Sequence, residues 1–192
     1  DTLHQTTLEG SYDEFSLTSS DIHANISESV TTSSHNLHGG VNLIGFPVLP
    51  DSHETGIVLE SLELNGLSII GEGQASANVN GNYIGSLGVI NHTNGYWVKV
   101  EDEDILLISD NRALCEELVY DLHVGYNLIS YCCETSADVE IIPNSINKII
   151  GEGTAAVELN GQWIGALNYF EPGKAYWVYS EFPLEFYWDC PE

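Results

Sequence analysis

The stretch Ile69-Ile70-Gly71-Glu72-Gly73 returns 80 positions later as Ile149-Ile150-Gly151-Glu152-Gly153. The same offset carries Asn80-Gly81 onto Asn160-Gly161, Tyr83-Ile84-Gly85 onto Trp163-Ile164-Gly165, and Tyr96-Trp97-Val98 onto Tyr176-Trp177-Val178. Upstream, Leu37-His38 and Asn42-Leu43-Ile44 recur 85 positions on as Leu122-His123 and Asn127-Leu128-Ile129. Self-similarity at a fixed period means one structural unit used more than once. The chain therefore divides into an extended, Ser/Thr-rich N-terminal segment (1–36), a first module (37–110) and a second module (111–192).

Each module reads as mainly β. Val41 to Val48 is a mostly apolar run ended by Pro47 and Pro50, a buried strand stopped by proline, which cannot donate to a ladder. Asn-Gly between strand-like runs predicts a hairpin, because both central residues of its turn need positive φ. Tyr96 to Val100 and Tyr176 to Tyr179 give a third strand, and Ile105 to Ile108 and Leu184 to Trp188 a fourth. Val58, Leu59, Leu62 and Leu67 stand at helical spacing and predict one short helix over Glu54 to Leu67. Val139, Ile142, Ile146 and Ile149 predict its counterpart, shortened by Pro143. The two glycines of the repeated turn imply positive φ or a close backbone approach.

The charge balance is extreme, with 29 acidic residues against 4 basic ones and a net charge of −25. Such a field repels nucleic acid and anionic membrane surfaces and favours counter-ions, Ca²⁺ among them. It also suits a protein from salty water, where repulsion is screened within about 8 Å or less. No run is long and apolar enough to span a bilayer as a helix. The chain starts at Asp1 and contains no Met, as expected of a secreted product whose signal has been removed. Four cysteines, Cys115, Cys132, Cys133 and Cys190, fit disulfides in an oxidising compartment, with three possible pairings. Adjacent residues of a strand point to opposite faces, so Cys132 and Cys133 are expected to take different partners from Cys115 and Cys190. Asn25-Ile26-Ser27 and Asn91-His92-Thr93 match the glycosylation acceptor pattern.

The pattern GxNLI[GS]F, IIGEG, NGxWIG[SA]L, PGxGYWV resembles a repeat of secreted and cell-surface proteins from marine bacteria and some archaea. The resemblance covers residues 37–108 and 122–188. Val41 and Tyr126 stand where that repeat usually has Trp, and Ala175 replaces the Gly before Tyr-Trp. It implies an extracellular, non-catalytic, mainly β module used in tandem, and it does not imply a defined ligand; no cofactor is expected.

No nucleophile elbow, zinc-protease motif or phosphate loop is present. Glu72 and Glu152 superficially form a glycosidase-like carboxylate pair, but as equivalent positions they read better as acceptors of turn amides. Glu101-Asp102-Glu103-Asp104 with Asp110-Asn111 reads as a solvated acidic turn, with Ca²⁺ as the weaker alternative. His38 and His123 read as structural residues at the start of a strand. Trp97 and Trp177 read as core, whereas Tyr83 and Trp163, just past the Asn-Gly turns, are candidates for contact with a glycan or a partner. Phe15-Ser16-Leu17 and Ile22-His23-Ala24-Asn25-Ile26 alternate as a half-buried strand would. The expected function is a self-assembling structural subunit of a cell-surface filament or layer, joined by exchange of that N-terminal strand. The alternative is a glycan-binding or adhesive surface module.

Overall fold

A computed structural model describes residues 31–191. Phe15, Leu17, Ile22, Ala24, Ile26 and Asn25 lie outside the described residues. The first module contains β1 (Thr31–Leu37), β2 (Gly40–Gly45), β3 (Val48–Leu49), β4 (Gly66–Gly71), β5 (Gln74–Val79), β6 (Asn82–Gly85), β7 (Gly95–Val100) and β8 (Asp104–Arg112). The second contains β9 (Tyr120–Leu122), β10 (Gly125–Ser130), β11 (Ala137–Asp138), β12 (Ile146–Gly151), β13 (Thr154–Leu159), β14 (Gln162–Gly165), β15 (Tyr169–Phe170), β16 (Ala175–Ser180) and β17 (Leu184–Phe186). The fold is mainly β, with two repeated sheet groups.

Each module has a five-stranded antiparallel sheet, ordered β2-β7-β4-β5-β6 in the first and β10-β16-β12-β13-β14 in the second. A smaller sheet accompanies it: β1-β8-β3 in the first module, β9-β17 and β11-β15 in the second. The pairing Leu37↔Asp104 recurs as Leu122↔Leu184, so Thr31–Leu37 is the counterpart of β9. The first module's ladder thus begins at Thr31, six residues before the start read from the repeat.

Alternation builds the two cores. Tyr96, Val98 and Val100 of β7 point inward with Phe46, Ile69 and Leu106. Tyr176 and Val178 of β16 do the same with Tyr131, Phe170 and Trp188. The Asn-Gly hairpins form as expected, with φ of 54° and 86° at Asn80 and Gly81 and of 56° and 81° at Asn160 and Gly161. In the repeated turn the glycines divide the two roles. A Cβ on Gly71 would sit 3.2 Å from the Tyr96 ring, and one on Gly151 equally close to Tyr176. Gly73 and Gly153 carry the positive φ, 72° and 70°.

The helix expected over Glu54 to Leu67 is cut down. Helix α1 covers Thr55–Val58, a 3-10 turn covers Glu60–Leu62, and β4 begins at Gly66. Glu63, with φ of 48°, ends the helical stretch. In the second module only a 3-10 turn, Val139–Ile141, remains, with the Asp138 carboxylate accepting from Glu140 N. Ile146 and Ile149 belong to strand β12. A bulge between Ile146 and Lys148 shifts the register, so two residues three apart both point inward. That spacing imitates a helix in the sequence.

The disulfides are Cys115–Cys132 and Cys133–Cys190. Cys132 and Cys133 do have different partners, but not through opposite strand faces. Both follow the end of β10 and both are buried in the second core.

Candidate functional site: the seam between the modules

The duplicated polar residues meet where the two modules join. Glu72 opens the β4–β5 turn of the first module and reaches into the second. Its Oε1 accepts from His123 Nε2 at 2.6 Å, and its Oε2 from Leu128 N at 2.9 Å. Glu152 returns the arrangement: Oε1 accepts from His38 Nε2 at 2.5 Å and Oε2 from Leu43 N at 3.0 Å. The contact is self-complementary, as in a two-fold dimer, although one chain supplies both halves. Each histidine is set by its own strand start. Asn42 Oδ1 accepts from His38 N, Asn127 Oδ1 accepts from His123 N, and each Asn amide donates back to the histidine carbonyl.

Main-chain bonds repeat the symmetry. Gly45 N donates to Gly173 O and Ser130 N to Thr93 O, both at 3.0 Å. Leu43, Leu128 and Ala175 fill the centre, flanked by Trp97 and Trp177. These two tryptophans point away from their own module cores, which corrects the reading of them as core residues. Burying a leucine stabilises by about 1.5–3 kcal/mol, more than an exposed ion pair, so this apolar centre outweighs the His–Glu pairs.

The strands approach so closely that one partner must be minimal at each crossing. A Cβ on Gly45 would lie 2.6 Å from Ser130 Cβ, and one on Gly95 2.6 Å from Ala175 Cβ. Gly45 and Ser130 are repeat equivalents, as are Gly95 and Ala175. One member of each pair carries a Cβ and the other cannot, which explains why Ala175 stands where the repeat pattern has glycine.

Hydrogen bonds with the Gly39 carbonyl and then Glu152 raise the pKa of His38; the Val124 carbonyl and then Glu72 do so for His123. Burial works against ionised Glu152, but the Leu43 amide, His38 and Lys174 offset it and leave its pKa lowered. Lys174 Nζ lies 3.9 Å from Glu152 on this side of the seam. His35 of β1 is buried against Gly173; burial, then the Lys174 charge, lowers its pKa to about 4. A hollow of about 370 Å³ lies beside Glu152, bordered by Leu43, Lys174, Glu171 and Tyr176.

The other sequence candidates lie elsewhere. Tyr83 and Trp163 are half-buried, each packed against the core of its own module. Trp163 borders a hollow of about 410 Å³ with Glu140, Asn144 and Glu158. Asn91 is exposed, its main-chain N–H donating to the Tyr96 hydroxyl at 2.8 Å. In the acidic turn, Asp104 Oδ2 accepts from Asn65 Nδ2 at 2.7 Å and its Oδ1 from Ile105 N. The four cysteine sulfurs lie within 4.8 Å of one another, and all four are disulfide-bonded. No helix among the described residues is long and apolar enough to cross a membrane.

Sequence reasoning missed the partners across the seam: Glu72 and Glu152 accept from Leu128 N and Leu43 N of the other module, not from amides of their own turns. The one signal in the sequence was that a histidine and a glutamate are both duplicated. Compared with known proteins, the chain matches no family model, no curated protein and no solved structure.

Proposed function

We propose that the protein is a non-catalytic structural subunit of an extracellular assembly, a surface filament or layer. Copies are joined by exchange of the segment that precedes Thr31. The observation that carries this reading is a double module whose two five-stranded sheets each end, among the described residues, in an edge strand. β6 and β14 each pair on one side only and close the outer ends of the two five-stranded sheets. An unpaired edge is a template for another strand. Head-to-tail addition of that kind does not close on itself and gives a filament.

The seam supports a mechanical role. Both oxygens of Glu72 and of Glu152 are engaged in bonds between modules, which supports a structural role for this carboxylate pair over a hydrolytic one. The disulfides favour an oxidising, extracellular setting. The glycan-binding alternative draws on Trp163 and its hollow, but Tyr83 and Trp163 each turn toward their own core.

Negative-stain microscopy and sedimentation of the full chain beside residues 31–192 test the proposal. We expect filaments or sheets from the full chain and folded, unassembled particles from the shorter one. Equal assembly by both would remove the N-terminal segment from the mechanism. A full chain that stays a 21.0 kDa particle at every concentration would reject assembly altogether.

A further inference from the structure

We propose that the acceptor is β14 of the second module, and that residues 22–26 of a neighbouring copy add to it as a strand; this rests on the assembly reading above. Among the described residues the five-stranded sheets end at β2 and β6 and at β10 and β14; β2 and β10 bond across the seam, and of the two remaining edges β6 and β14 differ in what lies beside them. Helix α1 packs beside β6, and the hollow next to Tyr83 is about 260 Å³. The second module has only the 3-10 turn Val139–Ile141 at that place, and the hollow beside Trp163 widens to about 410 Å³.

The two sides of β14 differ in chemistry. On the outer face, Tyr126, Tyr179, Lys148, Val157 and Ile164 form one cross-strand row, with Ile164 54% exposed. The next row is Leu128, Trp177, Ile150 and Ala155. Neither row contains a carboxylate, in a chain with 29 of them, and Lys148 lies over the Tyr179 ring. On the inner side, Trp163 borders the hollow with Glu140, Asn144 and Glu158 and with the buried Ile142 and Ile146, so polar groups make up its exposed lining. A strand that is apolar on one side and polar on the other matches both.

Ile22-His23-Ala24-Asn25-Ile26 has that pattern. With period two, Ile22, Ala24 and Ile26 extend the row that ends at Ile164, and His23 and Asn25 fall over the hollow, near Glu140 and Glu158. Charge agrees. Residues 1–30 carry six Asp or Glu and no Lys or Arg, and they meet a carboxylate-free face with Lys148 in it. Elsewhere a net charge of −25 makes copies repel.

The test compares full-length wild type, Ile164→Asp and the counterpart Ile84→Asp by sedimentation and microscopy, with amide hydrogen exchange on the assembled material. We expect Ile164→Asp to lower the assembled fraction at least tenfold and Ile84→Asp to leave it within twofold. Exchange at residues 162–165 should slow at least tenfold in the polymer. Wild-type assembly by Ile164→Asp, or exchange at 162–165 unchanged by assembly, would overturn β14 as acceptor and leave the assembly reading standing. A wild-type chain that does not assemble overturns both. If Ile164→Asp fails to fold, the exchange measurement on wild type decides.

Discussion

The two modules repeat one pattern but hold their smaller sheets in different ways. In the first, β1 and β8 share a ladder of seven residue pairs, from Thr31↔Asp110 to Leu37↔Asp104. In the second, β9 and β17 share three. Both disulfides are in the second module, and they clip this short ladder. Cys115 lies just before β9, Cys190 lies just after β17, and both reach the Cys132-Cys133 pair beyond β10. Where main-chain pairing is shortened, covalent links replace it. At the position equivalent to Tyr120 the first module has His35. Tyr120 packs on Phe186 and Trp188 and shares a hydrogen bond with Ser130 Oγ, whereas His35 is a buried base. One module is therefore sensitive to reduction and the other to acid.

The largest effect expected is on reduction. The Cys133–Cys190 bond spans 57 residues and the Cys115–Cys132 bond 17, which correspond to about 4 and about 3 kcal/mol by chain entropy. A reductant should accelerate hydrogen exchange more through the second module's core than at β1 and β8. Equal loss in both modules would erase the contrast.

Acid should act on the other half. The folded-state pKa of His35 is lowered to about 4 from 6.5, so between those values the unfolded chain binds more protons and stability rises with pH. The shift corresponds to roughly 3 kcal/mol. Denaturant melts of His35→Phe should be flatter between pH 4 and 6.5 than those of wild type, and a parallel pair of curves would remove His35 from the account.

The seam comes next. Gly95→Val places branched carbons where even a Cβ falls 2.6 Å from Ala175 Cβ, and overpacking of this kind costs about 1–3 kcal/mol. Each module keeps its own core, so heating the variant should resolve two transitions. Ala175→Gly should be tolerated.

The smallest effect is that of the histidine–glutamate pairs, whose histidines are exposed. The raised pKa values of His38 and His123 make their contribution full below 6.5 and lost as pH rises through the folded values. The lowered pKa of Glu152 makes its contribution present above 4.5 and lost as pH falls through the folded value. The His38–Glu152 pair is thus strongest between about 4.5 and 6.5, and a His38→Gln, His123→Gln double variant should lose stability below 6.5 and little at pH 9. A deficit that persists at pH 9 would show packing, not charge.

The repeat made the mainly β, two-module plan legible, and Asn80-Gly81 and Asn160-Gly161 located its hairpins, because positive φ at successive residues is a local demand. Two things were not local. The bulge at Ile146 spaces inward residues by three, so a strand carried the period of a helix. The seam pairs residues that are 51 and 114 positions apart, and nothing near Glu72 or His38 in sequence names the partner. The departure at Ala175 was visible, but its reason, a crossing with Gly95, exists only once the modules meet.

The central claim is that the seam makes one mechanical body of two repeats, and differential scanning calorimetry of the intact, oxidised chain tests it most directly. The account predicts a single transition whose calorimetric and van't Hoff enthalpies agree for the whole described fold. Two separate transitions in the unmodified protein would make the modules independent beads and contradict it.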